Sequence, residues 1–244
     1  MRTIYFYILI ITNLIWINFK KQKLNRIKRK ISIKEAEVYL FKVATNWAKF
    51  VLRSADLNLK VIGKENIPKE ACLFVGNHQS NFDIPAILAN MNNITGAVAK
   101  KSMIKIPIMS YWMKQIHCVF MDRENPREAL KAIAQGVEYL KNGYSMLIFP
   151  EGTRSRSNTM GEFKKGSMRL AIKAGVPIVP ITLYDTYTAW EGNNEKIKGA
   201  SAKIIFGKPI YLDGMSKEEK ANISDVVQNI IQNNLNKENT ERIG

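Results

Sequence analysis

The sequence predicts an α/β fold: a single domain with a mainly parallel or mixed sheet covered by helices, preceded by N-terminal membrane-associated helices. Three observations predict it. From Leu57 onward, short apolar runs bounded by Gly, Pro and polar residues alternate with amphipathic helical patterns. The chain has 244 residues and 46% hydrophobic content, enough for one sizeable core. Ahead of that alternation lies an uncharged apolar stretch, residues 4–19, followed at once by a basic cluster.

The N-terminal stretch is short of the ~20 apolar residues that a full bilayer span needs. Tilt or local thinning would let it cross; an embedded helix is the other form of anchor. A cleaved signal peptide is the rival, weakened by the basic residues behind the apolar run and by the lack of a small-residue cleavage site. Residues 1–34 hold nine Lys/Arg and no acid, so more than half of the net charge of +16 sits there. That clustering, and the lack of aromatic–basic interleaving, argues against nucleic acid as a partner. It favours an anionic membrane surface, with residues 20–30 on the cytoplasmic side. Residues 33–53 form the next predicted helix, with Ala36, Leu40, Val43, Trp47 and Val51 on one stripe that suits either the membrane surface or the core. The division expected is 1–56 for the anchor and amphipathic helix, and 57–244 for the domain.

Within the domain the predicted strands are 59–63, 71–76, 95–99, 117–122, 145–149, 177–183 and 202–206. The predicted helices are 83–91, 103–115, 126–142, 161–174 and 216–236. Strand 71–76 is opened by Pro68 and closed by Gly76. Pro177 and Pro180 exclude a fully paired central strand at those positions. Ser216 and Glu219 make a capping box for the last helix, whose stripe is Ile223, Val226, Val227, Ile230, Ile231 and Leu235. Two cysteines, Cys72 and Cys118, lie in apolar runs and read as buried thiols rather than a disulfide. The sequence holds only two His and no zinc-ligand spacing, so no metal and no cofactor is expected.

The chemistry gathers at strand ends, where open α/β sheets build sites. His78 follows strand 71–76, and Asp83 lies five residues on. On one continuous helix they would diverge by roughly 140°. They meet only if residues 77–81 form a loop and the helix starts near Asp83, which also suits an N-cap. A carboxylate beside an imidazole fixes its tautomer and steadies its charged form. The turn Pro150-Glu151-Gly152-Thr153-Arg154 follows a second buried strand. Its Arg154 fork fits phosphate, Glu151 can fix that Arg or an acceptor's hydroxyls, and Gly152 and Thr153 shape the turn. Lys100 and Arg123 close two further strands, and the cations of residues 162–169 extend the rim or form only a charged face. One base, one orienting carboxylate and several cations describe a pocket for a phosphate-bearing molecule with a hydroxyl to activate.

Assembled in this order, residues 77–83, 120–123, 149–155 and 176–183 resemble the four blocks of the glycerolipid acyltransferase family, over roughly residues 57–210. The resemblance implies acyl transfer from acyl carrier protein or coenzyme A to the sn-2 hydroxyl of lysophosphatidic acid, at a cell membrane with the site on the cytoplasmic side. It implies His78 as general base, Asp83 as its partner, and Lys100, Arg123 and Arg154 on the acceptor's phosphate. Glu151, Gly152 and Thr153 would shape the acceptor site. The reaction needs an oxyanion stabiliser that the sequence does not identify, with backbone N–H groups near His78 as a candidate. Asn81 and Phe82 replace residues that are often Trp and aliphatic, Ser102 replaces a frequent Glu, and His117 stands where Gly commonly opens the second block. The alternatives are a different acceptor such as glycerol-3-phosphate or another lysolipid, a thioesterase, and a non-enzymatic basic tether. No G-x-S-x-G elbow is present.

Overall fold

Alternate residues of the central strands bury to opposite faces, and that period of two sets the layers. The structure, a computed structural model, describes residues 1–164 and 166–243. Its strands are β1 (Leu57–Ile62), β2 (Leu73–Gly76), β3 (Thr95–Lys100), β4 (Val119–Met121), β5 (Ser145–Ile148), β6 (Ile178–Tyr184) and β7 (Ala200–Phe206). The helices are α1 (Arg2–Lys30), α2 (Ile33–Ala55), α3 (Asp83–Leu88), α4 (Pro107–Gln115), α5 (Pro126–Lys141), α6 (Arg169–Ala174) and α7 (Lys217–Ile243). The seven strands form one sheet in the order β1-β7-β6-β2-β5-β3-β4. All neighbours are parallel except β6 and β7, so the predicted mixed sheet is found. The carboxyl ends of β2, β3, β4, β5 and β6 therefore share one edge.

Phe74, Leu147, Val179, Ile181 and Leu183 bury on the face covered by α2 and α3. Leu73, Val75, Met146, Ile178 and Tyr184 bury on the other, under α5, α6 and α7. Burial of this kind stabilises by about 25 cal/mol per Å² of apolar surface. The α2 stripe of Ala36, Leu40, Val43 and Val51 is buried, so it faces the protein. Ser32 caps α2 by accepting the Glu35 N–H at 3.0 Å. On α7, Glu219 and Ser216 form the predicted reciprocal box, at 2.7 and 3.1 Å.

Strand β6 is central, paired to β2 on one side and β7 on the other, and as expected it is not fully paired at its prolines: Pro177 precedes the strand, and the ladder to β7 begins only at Ile181. Pro180 is tolerated because its missing N–H faces the side where β7 has already ended at Phe206; only its carbonyl is used there, accepting from Gly207. The helix predicted over 103–115 is broken at Ile106, which is extended (φ −100°, ψ 96°) because the following Pro107 disfavours the helical region. Helix α6 starts only at Arg169 rather than at 161; residues 161–164 run irregularly over the site, Gly166 has φ +91°, and Lys165 lies outside the described residues. Helices α3 and α7 also end elsewhere than predicted, at Leu88 and Ile243.

Both cysteines are buried, and burial pushes both thiols up to about 12. His117 takes φ +63°, a conformation that glycine adopts without strain. Its ring lies against Tyr144 at 3.8 Å and Tyr139 at 4.9 Å. Its carbonyl comes so near β3 that a Cβ added at Gly96 would stand 2.3 Å from it. The expected outcome for Gly96→Ala is a loss of about 1–3 kcal/mol. It would be read as a fall of several degrees in thermal midpoint by calorimetry.

Candidate active site

The loop after β2 is held by three carboxylates and one amide. The side chain of Asn77 continues the β2–β6 ladder, donating to the Leu183 carbonyl at 2.9 Å and accepting its N–H at 2.8 Å. The chain then turns through residues 78–82, as expected, and α3 begins at Asp83. Asp83 does not cap that helix. Its fully buried carboxylate reaches back, with Oδ2 accepting from His78 Nδ1 at 2.7 Å, Gln79 N–H at 2.7 Å and Ser80 N–H at 2.9 Å. Oδ1 accepts the hydroxyl of Thr186. An acceptor-only carboxylate fixes the imidazole tautomer: the proton sits on Nδ1 and the Nε2 lone pair is left for chemistry. The His78 ring stacks on Phe149, with centroids 4.1 Å apart and planes 10° from parallel. Its side chain is 19% exposed, so the imidazole is seated but reachable.

Glu151 serves neither Arg154 nor an open acceptor position. It is buried, with Oε1 accepting the His78 N–H at 2.6 Å and Oε2 accepting the Gly161 N–H at 2.8 Å. Burial raises its pKa, and those backbone donors oppose the rise. Glu191 completes the loop by accepting from Asn81 N–H at 2.9 Å and from the Ser80 hydroxyl at 2.6 Å. The four backbone N–H groups from His78 to Asn81 are thus all donated to carboxylates. The expectation that they bind an oxyanion is overturned, because a donor engaged by a buried anion is not open to a second one.

The cations lie around the neighbouring turn. Gly152 takes φ +76°, and a Cβ there would meet Arg123 Nη1 at 2.9 Å and Lys164 Nζ at 3.1 Å. Two cations therefore converge over this glycine, and a side chain there would both strain the backbone and displace them. Arg123 donates to the Gly152 carbonyl; desolvation there lowers its pKa, but an Arg remains charged at neutral pH. Lys164 was indicated in sequence only as one of a run of cations, and its backbone N–H donates to the Pro150 carbonyl at 3.1 Å. Arg154 is paired, with Nη1 on Glu191 Oε1 at 2.7 Å and its side chain 27% exposed. Thr153 is exposed on the same turn, and Lys100 is exposed at the end of β3, opposite Met121 in register. All eight residues singled out in the sequence thus occupy the same sheet edge. Thr186 and Glu191 were missed. Both follow β6, and their only signal was that a strand parallel to β2 must end beside it.

Residues 58–184 match the family model described as Acyltransferase. The probable 1-acyl-sn-glycerol-3-phosphate acyltransferase of Mycoplasma pneumoniae is 33% identical over 199 residues, spanning 77% of this chain and 74% of that protein. The 1-acyl-sn-glycerol-3-phosphate acyltransferase of Borreliella burgdorferi is 31% identical, spanning 77% and 75%. Among solved structures, the 1-acyl-sn-glycerophosphate (LPA) acyltransferase PlsC from Thermotoga maritima superposes with a TM-score of 0.86 at 27% identity, covering 97% of this chain and 94% of that one. The histidine–aspartate loop and the turn of cations beside it lie within the matched residues, and the chain belongs to the acyltransferase family.

Proposed function

We infer that this enzyme acylates the sn-2 hydroxyl of 1-acyl-glycerol-3-phosphate, making phosphatidic acid, with acyl carrier protein or coenzyme A thioester as donor. One observation carries the reading: a tautomer-fixed His78 stands one turn away from a cluster of cations that suits a phosphate. The relatives named for this reaction support the choice of acceptor.

Nε2 of His78 takes the hydroxyl proton as the oxygen attacks the thioester carbonyl. A free alkoxide is out of reach of an imidazole, so proton removal accompanies C–O bond formation. General-base assistance of this kind contributes typically about 10²–10⁴-fold. The imidazolium, held by Asp83, then returns the proton to the departing thiolate as the C–S bond breaks. Arg123, Lys164, Lys100 and the free donors of Arg154 hold the acceptor's phosphate, which orients the hydroxyl. Thr153 and Gly152 line the turn, and Glu151 acts from beneath by holding the His78 backbone. No cofactor or metal enters this scheme.

Helix α1 is long and apolar enough to cross a membrane. Both of its ends are tied to the domain, however. Arg2 pairs with Asp56 at 2.8 Å and Thr3 accepts the Ile197 N–H at 3.0 Å; at the far end Lys28 meets Gln115 at 2.5 Å. Ile4, Ile8, Ile11, Ile15, Trp16 and Phe19 remain exposed. This favours a helix embedded in the cytoplasmic leaflet over one that leaves the domain to span the bilayer, with the basic residues on anionic headgroups.

His78→Ala is expected to lower kcat by about 10³-fold or more, with the thermal midpoint unchanged, in an assay of acyl transfer to lysophosphatidic acid. Asp83→Ala is expected to lose activity and about 3 kcal/mol of stability as well, because it orphans buried donors. Arg123→Ala and Lys164→Ala are each expected to raise the acceptor KM by roughly 10-fold, with the donor KM unmoved. Equal rates with glycerol-3-phosphate and lysophosphatidic acid, or thioester hydrolysis without any acceptor, would point to the other readings.

A further inference from the structure

Glu191 belongs to none of the four sequence blocks, yet its carboxylate bonds to residues of two of them. It lies on a short 3₁₀ turn (Glu191–Asn193) after β6. Its side chain is 1% exposed. One oxygen takes Arg154 Nη1 at 2.7 Å and the Asn81 N–H at 2.9 Å, and the other takes the Ser80 hydroxyl at 2.6 Å. A single carboxylate thus joins the turn that bears the phosphate-binding Arg154 to the loop that bears His78.

We propose that Glu191 is a positioning residue for acceptor binding: it aims the guanidinium of Arg154 at the acceptor's phosphate and locks it in register with the base. This rests on the assignment of a phosphate-bearing acceptor to the site. The physical argument is one of preorganisation. An unpaired Arg on a turn samples many rotamers, and ordering it on binding weakens affinity. A buried carboxylate occupying one side of the planar fork leaves the remaining N–H groups pointing in a fixed direction. Because the same carboxylate holds Ser80 and Asn81, the distance from that fork to the His78 loop is set before the acceptor arrives. A placement error of an ångström in such an arrangement is enough to slow a reaction markedly.

The test compares wild type, Glu191→Gln, Arg154→Ala and the double variant in steady-state acylation of lysophosphatidic acid, varying acceptor and donor separately. Gln keeps the size and an acceptor oxygen but gives up the charge. The expected result for Glu191→Gln is an acceptor KM raised roughly 10-fold, an unchanged donor KM and a thermal midpoint near wild type. In the double variant the acceptor KM is expected to rise no further than in Arg154→Ala alone, since Glu191 acts on acceptor binding through Arg154. Multiplicative losses, or a wild-type acceptor KM in Glu191→Gln, would overturn the proposal. A merely structural role would lower the thermal midpoint without moving one KM selectively. Should Glu191→Gln fail to fold, Glu191→Asp decides the matter: it keeps the charge but withdraws it by one methylene, and an unchanged acceptor KM there would overturn the proposal equally. Wild-type turnover of lysophosphatidic acid is the separate control. Its absence would remove the functional assignment itself, whereas selective failure of the variants' pattern would remove only the role of Glu191.

Discussion

A carboxylate with no exposure to water is expensive to ionise unless donors surround it. Asp83 meets that demand with an imidazole N–H, two backbone N–H groups and a hydroxyl. The demand is also what shapes the loop. Residues 78–80 must curl so that their donors converge on one point, and the chain can enter α3 only after that curl is complete. The conformation of the loop after β2, the tautomer of His78 and the start of the helix are therefore consequences of a single buried charge. Glu151 and Glu191 repeat the device on either side, taking the N–H groups of His78 and Asn81.

This solution has a chemical consequence. The backbone donors of residues 78–81 are all committed to carboxylates, so in the proposed reaction negative charge developing on a thioester oxygen would have to be met by groups outside them. The cations around Gly152 and the remaining donors of the 149–155 turn are candidates. The carboxylates are spent on the scaffold, and the guanidinium and ammonium groups around Gly152 are left to meet an anionic acceptor in the proposed function. In a partly desolvated site such an arrangement acts at higher effective strength than it would in water.

The parts legible in sequence are those governed by local rules. Apolar runs bounded by Gly, Pro and polar residues revealed all seven strands, and the placement of His78, Arg123, Glu151 and Arg154 at strand ends needed only the assumption of parallel neighbours. What escaped depended on partners distant in sequence. Pro180 rules out full pairing, but that β6 is nonetheless central depends on the early end of β7, which cannot be read from β6 itself. The segment 161–168 carries helix-compatible residues, but Gly161 is drawn to the Glu151 carboxylate instead. Glu191 is an isolated acid in a polar stretch, and nothing nearby in the chain marks it as buried. Glu151 is legible as a site candidate but not its partners: proximity in sequence to Arg154 counts for less than the need of the His78 N–H for an acceptor.

The departures from the family pattern have local physical reasons. At position 117 a side chain endures φ +63° because its ring gains a berth against Tyr139 and Tyr144. Phe82 is buried, and its ring meets Phe6 of α1 edge-on at 5.9 Å. That contact joins the first turns of the proposed membrane helix to the residue beside Asp83. Phe6 belongs to the same core as Phe74 and Leu147 of the central strands, so α1 is not an appendage attached through a linker. A helix seated in the headgroup region through Trp16 and Phe19 would hold the catalytic loop at a fixed height above the lipid. Under the proposed function the acceptor would lie in that lipid, with its phosphate at headgroup level. Fixing the height of His78 relative to the membrane would then remove one degree of freedom from the search for the sn-2 hydroxyl. An aromatic pair does this better than a flexible tether, because it leaves the loop no freedom to move relative to the helix.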